Sequence, residues 1–176
     1  MGKAGGSVLQ VLIVYDSVFG NTEKVATALK ESVTAPHRAL IVKVDNFTVH
    51  LLDGVDLLLV GSPTHGFKPT EAITLLFKGF PKNTLAGIKV AAFDTRISVV
   101  EVKSKVFSLM TSLFGYAADS ITKALVKHGG VLVSEAHWFI VRGKEGPLRQ
   151  GEVEHARTWI TQLLAVDVGS NSFPLT

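Results

Sequence analysis

At 176 residues, the chain has the length of one compact domain, and 47% hydrophobic against 19% charged residues sets it apart from disordered or low-complexity proteins. Its 18 Lys and Arg against 15 Asp and Glu leave a formal charge of +3, dispersed along the chain without a basic tail or stripe, so no nucleic-acid partner is expected. Cysteine is absent, which excludes disulfides, thiolate nucleophiles and cysteine-ligated clusters and leaves any redox chemistry to a bound cofactor.

The longest uncharged stretches, such as 106–118, fall short of the roughly 20 apolar residues that span a bilayer, so no membrane insertion is expected. The apolar run at 11–15 is too short for a signal peptide, and a cytoplasmic location is expected. Residues 1–7 read as a flexible N-terminal tail and 167–176 as a C-terminal tail, around a domain at 8–166.

Apolar runs recur along the chain without alternation, the pattern of parallel strands buried on both faces. The first strand is predicted at 8–15, the second at 39–44, the third at 55–61 and the fourth at 88–93. The fifth starts at 131 and resumes at 138–141 after a less regular stretch. Between them, 21–34 sets Val25, Ala28, Leu29 and Val33 on one face of a helix. A second helix is predicted at 70–77 behind Pro69, and a last one at 153–165 with Ala156, Trp159, Ile160 and Leu163 at helical spacing.

The segment 101–128 reads as helical almost throughout. An unbroken helix of that length would run about 42 Å, against strands of roughly 17 to 20 Å, so a break is expected at Gly115. The apolar residues around it, Phe107, Leu109, Met110, Leu113, Phe114 and Tyr116, read first as core, with a homodimer contact or a lip over a ligand as the other readings. Strand and helix alternation of this kind gives an α/β fold, a doubly wound five-stranded parallel sheet of order 2-1-3-4-5.

In such sheets ligands bind beyond the carboxyl ends of the strands, at the switch point between the first and third. After the first strand come Ser17, Val18, Phe19, Gly20, Asn21 and Thr22, small and hydroxyl-bearing residues that run into a helix N-terminus. Backbone N–H groups and the helix dipole there suit a phosphate without Lys or Arg. The same residues suit plain helix capping equally well. After the third strand come Pro63, Thr64, His65, Gly66 and Phe67, and after the fourth Asp94, Thr95 and Arg96. Three polar loops at one sheet edge suit a ligand with a phosphate at one end and a flat ring at the other, the shape of FMN.

In these loops the sequence resembles the flavodoxin family. The likeness rests on Ser17-x-Phe19-Gly20-Asn21-Thr22, on Gly61-Ser-Pro-Thr-x-Gly66 and on Asp94-Thr95-Arg96, and it extends over 8–164. Phe19 stands where many members carry Thr, which leaves that phosphate contact to the backbone. The resemblance implies a flavodoxin-like fold, FMN as cofactor and transfer of electrons to redox partner proteins or a small-molecule acceptor. By position it implies that Ser17 to Thr22 meet the phosphate, Pro63 to Phe67 border the dimethylbenzene and N5 side, and Asp94 to Arg96 meet the pyrimidine side. Family members stack the ring between aromatic residues; here Phe67, His65 and Phe93 are the nearby candidates, and Phe93 reads as core. Arg96 reads either as a guanidinium near flavin N1 or as a solvated loop residue. His65 reads either as a neighbour of the ring or as a surface histidine.

No G-x-G-x-x-G, Walker A or G-x-S-x-G sequence occurs, and the histidines at 37, 50, 65, 128, 137 and 155 show no metal-ligand spacing. No metal and no catalytic acid or base are therefore expected. A receiver-type phosphorylation site is set aside because the third strand ends in Gly61-Ser62. The expected function is FMN-based electron carriage. The alternative is an FMN-dependent NAD(P)H:quinone-type oxidoreductase, and a flavin-dependent oxidase of a porphyrin precursor is a weaker third reading. The slightly basic charge departs from the acidic surface usual for such carriers.

Overall fold

In the computed structural model, which describes residues 8–98 and 115–166, β1 (Gln10–Tyr15) lies at the centre of a parallel sheet. It pairs on one side with β2 (Arg38–Lys43) and on the other with β3 (Leu57–Pro63), and β3 pairs with β4 (Lys89–Ile97). The fifth position is shared by β5 (Val131–Leu132), against the start of β4, and β6 (His137–Val141), against its end. The order is thus the expected 2-1-3-4-5, with the last place filled by an interrupted strand.

Among the described residues, four helices cover the sheet: α1 (Asn21–Ser32), α2 (Glu71–Lys78), α3 (Ala117–Lys127) and α4 (Glu152–Val166). Alternation along each strand assigns the two faces. Val11, Ile13 and Tyr15 of β1 pack with Leu57, Leu59 and Phe93 under α1 and α4. Leu12 and Val14 pack with Leu58, Val60, Val90 and Ala92 under α2 and α3. Phe93 is fully buried in edge contact with Phe139 and Trp159, so it is core. A Cβ at Gly61 would overlap the Phe93 ring, which explains why the strand tolerates no side chain there.

Two differences from the sequence reading bear on the site. β4 runs four residues beyond its predicted end because Asp94, Thr95, Arg96 and Ile97 remain paired with β3 or β6. What read as a loop is therefore a rigid strand end. Gly115, at φ 71°, precedes Tyr116 and the start of α3, and residues 101–114 of the predicted long helix lie outside the described residues. Smaller shifts occur at helix ends; α1 stops at Ser32 because Val33 turns extended.

Candidate functional site

At the carboxyl edge of β1 the chain leaves the sheet through Asp16, whose N–H donates to the Gly61 carbonyl at 3.0 Å. The Asp16 carboxylate accepts the Ser17 N–H at 2.8 Å, and the Ser17 hydroxyl accepts the Glu23 N–H at 3.3 Å. Gly20 then takes φ 80° and starts α1, a left-handed conformation that costs any residue with a Cβ. Among the described residues, no protein acceptor takes the backbone N–H groups of residues 18–22. A run of unpaired N–H groups at a helix start, opened further by the space beside Gly20, fits an anion.

The second loop is a tight turn. His65 and Lys68 exchange N–H···O bonds of 2.9 and 3.0 Å, with Gly66 at φ 53° and Phe67 at φ 66°. Both central residues are left-handed, the pattern of a type I′ turn, and a bulky Phe in that region is strained. The His65 ring stacks on Phe19, 6.3 Å between centroids, linking this turn to the first loop.

The third group sits on the extended end of β4. Asp94 is fully buried and receives Arg96 bidentately, at 2.6 Å from Nε and 2.7 Å from Nη2. It also accepts the Ala118 N–H at 2.9 Å, which caps α3. Burial pushes the Asp94 carboxyl above the usual carboxylate range, against the opposing pull of Arg96, the Ala118 N–H and the Thr64 hydroxyl. The guanidinium lies 3.5 Å from the Tyr116 ring centroid and 5.1 Å from that of Trp138. Only 10% of the Arg96 side chain is exposed, which overturns its reading as a solvated loop arginine. Strand pairing, a bidentate partner and two ring faces hold it in place.

These loops enclose a cavity of about 370 Å³, within the size range of small-molecule sites. Of the residues expected from sequence, Ser17, Phe19, Asn21 and Thr22 line it from the first loop, Thr64, His65, Gly66 and Phe67 from the second, and Thr95 and Arg96 from the third. Val18, Gly20, Pro63 and Asp94 are not part of the lining. Val18 faces outward, half exposed, and Asp94 sits beneath the floor. Thr22 and Thr95 share a buried hydroxyl hydrogen bond of 2.8 Å that ties the first loop to the third.

Four further residues line the cavity: Ile97, Tyr116, Val141 and Lys144. Tyr116 comes from the apolar stretch for which a lip over a ligand was one reading, and the run 143–148 reads from sequence either as a simple connection or as a flavin-edge or partner contact. Lys144 belongs to the turn-rich segment before the last helix. That segment is pinned to α1 where the Asn21 amide donates to the Glu145 carbonyl at 2.9 Å. A Cβ at Gly146 would overlap the Asn21 side chain, so the close approach requires glycine. The glycines at 143 and 146 were the available signal; nothing local said where the segment would dock.

A parallel sheet of order 2-1-3-4-5 flanked by helices, with a cavity at the carboxyl ends of β1, β3 and β4, defines the flavodoxin-like class. The flavodoxin family model matches residues 13–159, and the chain belongs to that family: it is an FMN-binding electron-transfer flavodoxin. Among solved structures it resembles oxidised flavodoxin 1 of Bacillus cereus, at 18% identity and a TM-score of 0.70 over 89% of this chain and 97% of that one. Flavodoxin 2 of the same organism gives 23% identity and 0.65 over the same shares. Rubredoxin oxygen:oxidoreductase of Desulfovibrio gigas gives 18% identity and 0.66, over 92% of this chain and 37% of that longer one. No curated protein sequence matches the chain. Among the described residues, no helix is long and apolar enough to cross a membrane.

Proposed function

We propose that the cavity is the FMN site and that the open N–H groups of residues 18–22 hold the phosphate. That cradle is the observation that carries the reading. Ser17 and Thr22 add hydroxyl donors, and the start of α1 adds its dipole, so a doubly charged group is met by fixed dipoles on this loop, with Lys144 of the segment docked on Asn21 lining the same cavity. Phe67, Tyr116, Ile97 and Val141 supply the apolar surface for the flat ring, and Gly66 lets the 65–68 turn come close to it. Arg96 presents positive charge at the pyrimidine end, where Asp94 fixes its position and moderates its field. FMN, once bound, supplies a ring that takes up and releases electrons singly.

The protein's part is then to hold the ring, exclude water from one side and leave an edge open to partners. Val18 and Phe19, 52% and 41% exposed, form an apolar rim on which redox partner proteins dock. We further assign this work to the cytoplasm, where the family operates.

The test is anaerobic reduction of the FMN-loaded protein, with dithionite and with NADPH in parallel. The carrier reading expects two resolved one-electron steps with dithionite and no reduction by NADPH. Direct reduction by NADPH in a single two-electron step would replace it with an NAD(P)H oxidoreductase. Failure to retain FMN would remove the cofactor assignment itself.

A further inference from the structure

Outside the cavity, the start of α4 and the start of β6 bring together a second group of polar side chains, and neither histidine in it lines the flavin site. Glu152 is 3% exposed. One of its oxygens accepts Arg149 Nε at 3.0 Å and Nη2 at 2.7 Å, and the other faces His155 Nδ1 at 3.1 Å. The opposite edge of His155 faces His137, with the two Nε2 atoms 3.1 Å apart. The His137 ring lies flat on Trp159, at 4.5 Å and an interplanar angle of 5°.

Each part of this arrangement prepares a nitrogen ligand. In the neutral His155 ring whose Nδ1–H donates to the Glu152 carboxylate, the lone pair lies on Nε2. A carboxylate behind a histidine in this way orients metal-ligating imidazoles and raises their basicity. The Trp159 stack fixes the His137 ring. The two Nε2 atoms are at hydrogen-bond distance, so without an ion one ring donates to the other. The ring centroids are 4.8 Å apart, closer than a head-on meeting at this nitrogen spacing allows, so the two Nε2 directions converge on one point, where an ion would replace the shared proton. Two nitrogens at that separation, each about 2.0–2.1 Å from one ion, subtend an angle near tetrahedral.

We propose that His137 and His155 form a two-imidazole site for a divalent transition-metal ion such as zinc, with Glu152 as the positioning residue and water completing the coordination. Among the described residues no group of three or more His, Asp or Glu converges on one ion, so the site is open on its solvent side, where 44% of the His155 side chain is exposed. Imidazole pairs select Zn, Ni or Cu over Mg or Ca. The ion would join β6 to α4 and favour the folded chain by mass action. No local spacing displays this pair, since its members are 18 residues apart.

The test is calorimetric titration of the FMN-loaded protein with zinc chloride, with magnesium chloride as control, alongside His137→Phe, His155→Gln and Glu152→Gln. His137→Phe keeps an aromatic ring on Trp159 while removing the nitrogen, and far-UV circular dichroism with FMN retention checks that each variant folds. One equivalent of zinc is expected to bind, with no response to magnesium. The event should be lost in both histidine variants and weakened 10- to 100-fold in Glu152→Gln. Zinc binding of unchanged stoichiometry and affinity in a folded His137→Phe or His155→Gln protein, or none in the parent, would overturn the proposal. An unchanged affinity in Glu152→Gln would remove the role given to the carboxylate.

Discussion

At the α1 end of the cavity, residues 18–22 present backbone N–H groups on a loop that carries no lysine or arginine; at the α3 end, Asp94 and Arg96 form a buried, bidentate ion pair. The first end depends on a backbone path that Gly20 permits, and most of its side chains could change without altering the donors. The second depends on two particular side chains and on the strand that spaces them. The difference teaches where each end is vulnerable: conformation at one, charge balance at the other.

The sharpest way to break that contrast is at Asp94. Burial raises the pKa of the Asp94 carboxyl against the opposing pull of Arg96, and removing one partner of such a buried pair strands the other. Asp94→Ala is expected to destabilise the fold by about 3–5 kcal/mol, the cost of an uncompensated buried charge, read as a lower urea midpoint at unchanged slope. A loss below about 1 kcal/mol would mean that water reaches Arg96 and that the α3 end is not sealed.

At the other end, Gly20→Ala is expected to cost about 1–2 kcal/mol, because the residue must keep its left-handed conformation. FMN affinity should fall with it by roughly tenfold as the cradle shifts, measured by quenching of flavin fluorescence. Ser17→Ala, which leaves the backbone path intact, should cost less; the reverse ranking would make the side chains the main holders.

The hydrogen bond between Thr22 and Thr95 joins the two ends. Thr22→Val keeps the shape, leaves the Thr95 hydroxyl unpaired and should cost about 0.5–1.5 kcal/mol, again by urea unfolding. A further effect concerns neither end and is reduced by solvent screening. The pKa of His137 is lowered from 6.5 to about 4, so between those values the unfolded chain binds the extra proton. Its contribution is complete above pH 6.5 and is lost as the pH falls toward 4. His137 is partly exposed and therefore partly screened. Stability measured in EDTA across that window should decline, and the decline should flatten in His137→Phe.

The sheet was legible because unbroken apolar runs such as Leu57 to Val60 can be little else in an alternating α/β chain. The first loop was legible because small residues, a glycine and a helix start fall together in sequence. The end of β4 was not: Asp94, Thr95 and Arg96 look like loop residues, and only pairing with β3 and β6 keeps them in the sheet. Tyr116 and Lys144 were left between two readings for a related reason. Each reaches the cavity through a docking that no local pattern encodes, one behind a glycine at φ 71° and one on a segment held by Asn21. The histidine pair at 137 and 155 is the extreme case, created wholly by the packing of α4 on β6.

The most direct test of the account is the affinity of the protein for FMN compared with riboflavin, which has the same ring and no phosphate. If residues 18–22 hold the phosphate, FMN binds far more tightly, by at least two orders of magnitude, and Gly20→Ala erodes that ratio while Asp94→Ala does not. Equal affinity for the two flavins, or a ratio unmoved by Gly20→Ala, would contradict the assignment of the cradle.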